Sequence, residues 1–169
     1  MNDKIAALLN QQINKEFYSA YLYLDISNYY DSLDLDGYAN YYMIQALEER
    51  DHALLFMKYM QSNGLKVTLE AIGKPDKVYA SVLEPLEAAA AHERYVTALI
   101  NAIYQESHES KDYRTMKFLD WFVNEQMEEE DSADTMISRY KLFGTDAKGL
   151  YLLDQEYAAR VYTAPSLTL

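Results

Sequence analysis

The chain has 169 residues, half of them apolar, with 17 Tyr, five Phe, five Gly, three Pro and no Cys, and a formal charge of −12. The missing cysteine excludes disulfides, thiolate metal sites and cysteine nucleophiles, and the negative charge argues against a nucleic-acid partner. No apolar run is long enough to cross a bilayer, and Met1-Asn2-Asp3-Lys4 lacks a signal-peptide layout. A cytoplasmic helical protein of one domain, 1–169, is therefore expected.

A first helix is expected over about 3–31, capped by Asn2 or Asp3. Ile5, Leu9, Ile13, Glu16, Ala20 and Tyr23 step by three or four along it and share one face. After a short turn at Ser32–Gly37, a second helix spans about 38–63 and stops at Gly64. Its stripe is Tyr42, Gln45, Glu49, His52, Phe56, Met60. Leu65–Ala80 carries no helical stripe and is punctuated by Gly73 and Pro75.

Ser81-x-x-Glu84 reads as a capping box opening a third helix over about 81–109. That helix carries Val82, Leu86, Ala89, Glu93, Val96, Ile100 and Ile103 on one face. A tight Ser110-Lys111 turn leads to a fourth helix, about 112–143, capped by Asp112. Its stripe is Leu119, Phe122, Gln126, Glu129, Ala133, Met136, Tyr140. A short fifth helix, about 147–159, precedes a tail containing Pro165.

Short turns make two antiparallel hairpins. A helix of this length spans roughly 40 Å at about 1.5 Å per residue, and the sixteen-residue link reaches about 50 Å extended. The expected fold is all-α: a four-helix bundle with one long crossover and a short C-terminal helix. Counted from Asp34, Glu16 lies 18 residues back and Glu49 lies 15 forward. From Lys111, Glu93 lies 18 back, Gln126 lies 15 forward and Glu129 lies 18 forward. The polar groups of both hairpins thus share one depth to within about a helical turn.

Buried carboxylates are costly unless something neutralises them, and a shared cation is the natural candidate. Glu49-x-x-His52 on one face suits one metal ion. Four carboxylates, one His and one Gln, without sulfur, form a hard set suited to a pair of iron or manganese ions rather than structural zinc. Two other readings compete: a metal-free structural bundle, and a di-iron oxidase or peroxidase acting on another substrate.

Three segments carry a more specific likeness: Glu16–Leu24 (EFYSAYLYL), Glu48–His52 (EERDH) and Asn124–Glu130 (NEQMEEE). With them the chain resembles bacterial-type non-haem ferritins over about residues 1–157. On the fourth helix Gln126-x-x-Glu129 replaces a second Glu-x-x-His, a variant that disfavours an organic-substrate oxidase. The resemblance implies iron storage with a ferroxidase centre. Glu16, bridging Glu49 and His52 hold one iron; Glu49, Glu93 and Glu129, with Gln126 nearby, hold the other. Glu48, Glu125 and Glu128 match a third iron site, to which Glu129 also contributes; the alternative is a solvated acidic face. Tyr23 matches a tyrosine beside the centre that can donate an electron, its other role being core packing. Trp121, His92 and His108 read as packing or surface groups. Haem is not expected, because Arg50 stands where the haem-binding relatives place Met. The resemblance further implies Fe(II) and dioxygen or hydrogen peroxide as reactants, and a homo-oligomeric hollow shell of 24 subunits.

Overall fold

The computed structural model describes residues 2–168; Met1, the first residue of the opening tetrapeptide, and Leu169 lie outside them. Five helices follow in order: α1 Asp3–Asp31, α2 Asp36–Ser62, α3 Leu83–Glu109, α4 Tyr113–Phe143 and α5 Ala147–Ala158. Among the described residues there is no strand, and no helix is long and apolar enough to cross a membrane. The all-α bundle with one long crossover is the fold observed.

Local chemistry explains most of the helix ends. Asn2 caps α1 by accepting from Ile5 N, and Asp112 caps α4 by accepting from Thr115 N. Gly64, at φ +72°, ends α2, with Leu65 N donating to Met60 O and Gly64 N donating to Gln61 O. Asp34 and Lys111 adopt the same left-handed conformation, both at φ 56°, in the two hairpin turns. The capping box is displaced from its expected register. Ser81 Oγ accepts from Glu84 N at 3.4 Å, but the Glu84 carboxylate takes the N–H of Ala80 rather than of Ser81. Helix α3 accordingly begins at Leu83 rather than Ser81.

The start of α2 also departs from expectation. The helix begins at Asp36, not Tyr38, and its N-cap Leu35 makes no side-chain cap. Buried Asp154 of α5 takes that role, accepting from the N–H groups of Gly37 and Tyr38.

The crossover, residues 63–82, runs alongside α1 in the same direction. Asn10 pairs with both polar backbone groups of Thr68, and Asn14 donates to the carbonyl of Ala71. Further on, Tyr79 packs on Tyr29 at 5.3 Å and Tyr30 donates to the carbonyl of Val82. The link therefore travels from the start of α1 to its end, which makes α2 and α3 parallel.

Two apolar clusters fill the bundle. One, rich in tyrosine, holds Tyr23, Ile26, Tyr30, Tyr38, Tyr42, Leu86, Met136 and, from α5, Leu153 and Tyr157. The other holds Ile5, Leu9, Ile13, Phe56, Met60, Val96, Ile100, Phe118 and Phe122. Between them lies a polar layer contributed by α1, α2, α3 and α4.

Candidate metal centre

The polar layer is buried. Glu16 and Glu49 are each 1% exposed, His52 and Glu93 2%, Gln126 4% and Glu129 8%. All six sit on the inward stripes of their helices, so the 3.6-residue period turns them inward as it does the flanking Leu, Ile and Phe.

Glu16, Glu49 and His52 each offer a ligand atom such that all three atoms lie within 4.8 Å of one another. Glu49 Oε2 is 3.5 Å from His52 Nδ1. Glu16 Oε2 and Glu49 Oε1 are buried without a hydrogen-bond partner. Such orphaned carboxylate oxygens are expensive in an apolar interior, and a hard cation would satisfy them.

The other half is built around Glu93 and Glu129. Gln126 Nε2 lies 3.1 Å from Glu93 Oε2, 3.3 Å from Glu93 O and 3.3 Å from Thr97 Oγ1. The Tyr23 hydroxyl donates to Glu93 Oε1. Gln45 Nε2 donates to Glu129 Oε2 at 2.8 Å.

Burial raises the proton affinity of every carboxylate in the layer. It drives Glu16 well above the ordinary range, with the Glu49 charge adding to it. For Glu49 the charges of Glu93 and Glu129 reinforce burial. Glu129 is pushed up to about 8, first by burial and then by Glu93. Glu93 is also raised by burial, although hydrogen bonds from Tyr23 and Gln126 oppose the shift. Without a cation, then, the layer holds protons at neutral pH. With one, those protons can be exchanged for metal. The donor set fits divalent iron.

The remaining candidates lie outside this layer. Glu125 Oε1 approaches His52 Nε2 at 3.9 Å from the outer side. Glu48 pairs with Arg160 at 2.6 Å, and Glu128 is exposed. Trp121 packs edge-on against His52, with ring centroids 5.5 Å apart. His92 accepts or donates at Ser19 Oγ, 2.8 Å away, and its pKa is lowered to about 4 by burial and by Lys15 and Lys77.

Two amides, Gln12 and Gln45, carry donor roles that the sequence alone does not show. Gln12 donates to Glu16 Oε1 at 2.8 Å from one turn earlier, and Gln45 occupies the same place one turn before Glu49. The signal was present as amides on apolar stripes, but their targets are set by side-chain direction.

The chain matches a family model described as a ferritin-like domain over residues 6–143. It is 36% identical over 162 residues to the bacterial non-heme ferritin of Staphylococcus epidermidis, covering 96% of this chain and 98% of that one. It is 37% identical to that of Campylobacter jejuni, covering 92% and 93%. Among solved structures, a closed form of the Archaeoglobus fulgidus ferritin made by site-directed mutagenesis matches with a TM-score of 0.94 and 38% identity. The match covers 96% of this chain and 99% of that one.

Proposed function

This chain belongs to the ferritin family, and from that premise we propose that it oxidises Fe(II) at the buried polar layer and stores the Fe(III) product as mineral within a shell of its own copies. The observation that carries this reading is the convergence of Glu16, Glu49 and His52 within 4.8 Å, with unpartnered oxygens on Glu16 and Glu49. One Fe(II) is held by Glu16, Glu49 and His52. A second is held by Glu49, Glu93 and Glu129, with Gln126 beside it. Glu49 lies between the two halves and serves both.

The protein's own work is positional and electrostatic. Four carboxylates stabilise the higher charge of Fe(III), so they favour loss of one electron from each ion. Dioxygen or peroxide, each a two-electron acceptor, takes up the pair. With a single imidazole in the set, the ferric product is bound through exchangeable oxygens, which suits turnover of iron as substrate. Tyr23 and Gln126 hold the Glu93 carboxylate in place. The acids Glu48, Glu125 and Glu128 supply an outer step for iron leaving the centre. We place this activity in the cytoplasm, in an assembly of 24 subunits.

The test is aerobic Fe(II) addition followed by stopped-flow absorbance and by iron counted per chain. Wild type is expected to oxidise iron rapidly and retain far more than a pair of ions. Glu49→Ala and His52→Ala are expected to lose the fast phase. Unchanged kinetics in both variants would reject the site. Retention of only two ions per chain would favour a di-iron enzyme, and retention of none a metal-free bundle.

A further inference from the structure

The segment after α5 stays on the bundle. Asn40 Nδ2 donates to the carbonyls of Tyr157 and Arg160, at 3.3 and 3.1 Å, pinning the exit of α5 to the first turns of α2. Arg160 then lies over the ring of Tyr41, with its guanidinium carbon 4.1 Å from the centroid. Its Nη1 donates to the carbonyl of Tyr41 at 3.3 Å, and its Nη2 reaches Glu48 Oε2 at 2.6 Å. Farther along, the Tyr162 hydroxyl donates to Asp51. Trp121 Nε1 donates to Ser166 Oγ at 3.2 Å, and Leu167 packs against the apolar cluster containing Phe122. Contacts on α2 advance from 40 to 51 as the tail advances, so the tail runs with α2 and then crosses to α4 at Trp121.

This strap passes over the face on which Glu125 lies 3.9 Å from His52 Nε2 and Glu48 lies near enough for the Glu125 charge to raise its proton affinity. That face gathers negative charge, and like charges at short range repel. Arg50 is paired with Asp51 at 2.8 Å. The cation that Glu48 does have comes from 112 residues away in sequence.

An isolated surface pair contributes little. This one differs in three respects. The Arg160 side chain is 25% exposed and that of Glu48 18%. The guanidinium has three partners at once: a ring face, a carbonyl and a carboxylate. Finally, anchors on both sides of Arg160 hold it there before any ligand arrives.

We propose that Arg160 is an internal counter-ion for Glu48, held by the C-terminal strap in the place where a third divalent cation would otherwise be neutralised. Cation binding on this outer face must therefore displace the guanidinium, and doing so loosens the strap. Occupancy of the outer acids is thereby coupled to the order of residues 160–168. The inference rests on reading the buried layer as a metal pair, since it concerns the step outside that pair.

The experiment uses the full-length apoprotein as it assembles and Zn(II), a redox-inert divalent ion, followed by calorimetry and by hydrogen exchange of the tail. Wild type is expected to fill two tight sites per chain and then a weaker third. In Arg160→Ala the third event should tighten roughly three- to tenfold, the gain from removing one anchored ion pair with its cation–π contact. The two tight events should not change. Arg160→Lys should fall between, because an ammonium keeps the charge but not the planar fork. In wild type, exchange across 160–168 should accelerate only as the third equivalent binds. A third event of equal or lower affinity in Arg160→Ala overturns the proposal, as does tail exchange indifferent to that equivalent. Absence of the two tight events in wild type overturns the metal-pair reading itself, and this inference with it.

Discussion

The side-chain amide of Gln126 and the carboxylate of Glu93 are joined at 3.1 Å across α4 and α3, within a layer that holds no ammonium or guanidinium. An amide is neutral at every relevant pH, so it can stabilise the Glu93 anion without competing for the cation the site is built to take. Removing it leaves a buried carboxylate with one donor fewer. Gln126→Ala should weaken the second of the two tight Zn(II) events by roughly ten- to a hundredfold, the worth of one hydrogen bond to a charged group. The first event, on Glu16, Glu49 and His52, should change little. Titration calorimetry separates the two, and equal weakening of both would mean that Gln126 acts through the bundle rather than through Glu93.

Tyr23 supplies the other donor to Glu93. Burial and the Glu93 charge raise its pKa well above the ordinary phenol value, so it remains a protonated donor at neutral pH. Its ring also packs on Tyr42, with centroids 5.6 Å apart. Tyr23→Phe keeps that packing and deletes only the hydroxyl. Thermal unfolding should shift by no more than about 5 °C, whereas Fe(II) oxidation should slow about three- to tenfold. A rate equal to that of wild type would reduce Tyr23 to a packing residue.

The titration of the layer gives the apoprotein an unusual pH dependence. A carboxyl whose folded pKa lies above its unfolded value, near 4.3, is favoured in its protonated form by the fold. Its stabilising contribution is complete below the unfolded pKa and is lost as pH rises through the folded one. For Glu129 that window runs from about 4.3 to about 8, and burial raises Glu16, Glu49 and Glu93 in the same sense. His92 acts oppositely. Its folded pKa of about 4 means that the unfolded chain protonates first, so stability is lost as pH falls from about 6.5 toward 4. Above about pH 6.5 His92 is neutral in both states, so up to about pH 8 the trend is set by the carboxyls, Glu129 foremost. The melting temperature of the apoprotein should therefore fall across that range, and saturating Zn(II) should flatten the fall. Calorimetry at pH 6.5 in buffers of different ionisation enthalpy should also report proton release on metal binding.

The layer was legible in the sequence because helical period and hairpin length fix it together. Glu16, Glu49, Glu93 and Gln126 stand on stripes whose spacing turns them inward, and each stripe is measured from a turn only a few residues long. No comparable ruler exists for contacts between distant segments. Arg160 lies in a tail without periodicity, and nothing local pairs it with Glu48. The displaced start of α3 has a related cause: Ser81 and Glu84 do bond, but a one-residue shift of the reciprocal contact to Ala80 depends on how the crossover arrives. Gly37 reads as a breaker in isolation, yet it lies inside α2 because its partner is on α5.

That partnership is the most exposed to mutation. Asp154 Oδ1 accepts from Gly37 N at 2.8 Å and from Tyr38 N at 3.0 Å, so a carboxylate 5% exposed sits at the positive end of α2. Such close approach requires glycine, since a Cβ at position 37 would lie 1.7 Å from the Asp154 carbonyl oxygen. Asp154→Ala removes two charge-assisted bonds and orphans two buried N–H groups, which should cost about 2–4 kcal/mol. Gly37→Ala keeps the carboxylate but forces α5 away from α2, so it should cost at least as much and also loosen the packing of Leu153 and Tyr157. Denaturant unfolding measures the first effect, and hydrogen exchange across Ala147–Ala158 measures the second. If Gly37→Ala left α5 as protected as in wild type, the contact would be elastic, and the docking of α5 would have to rest on its apolar side chains alone.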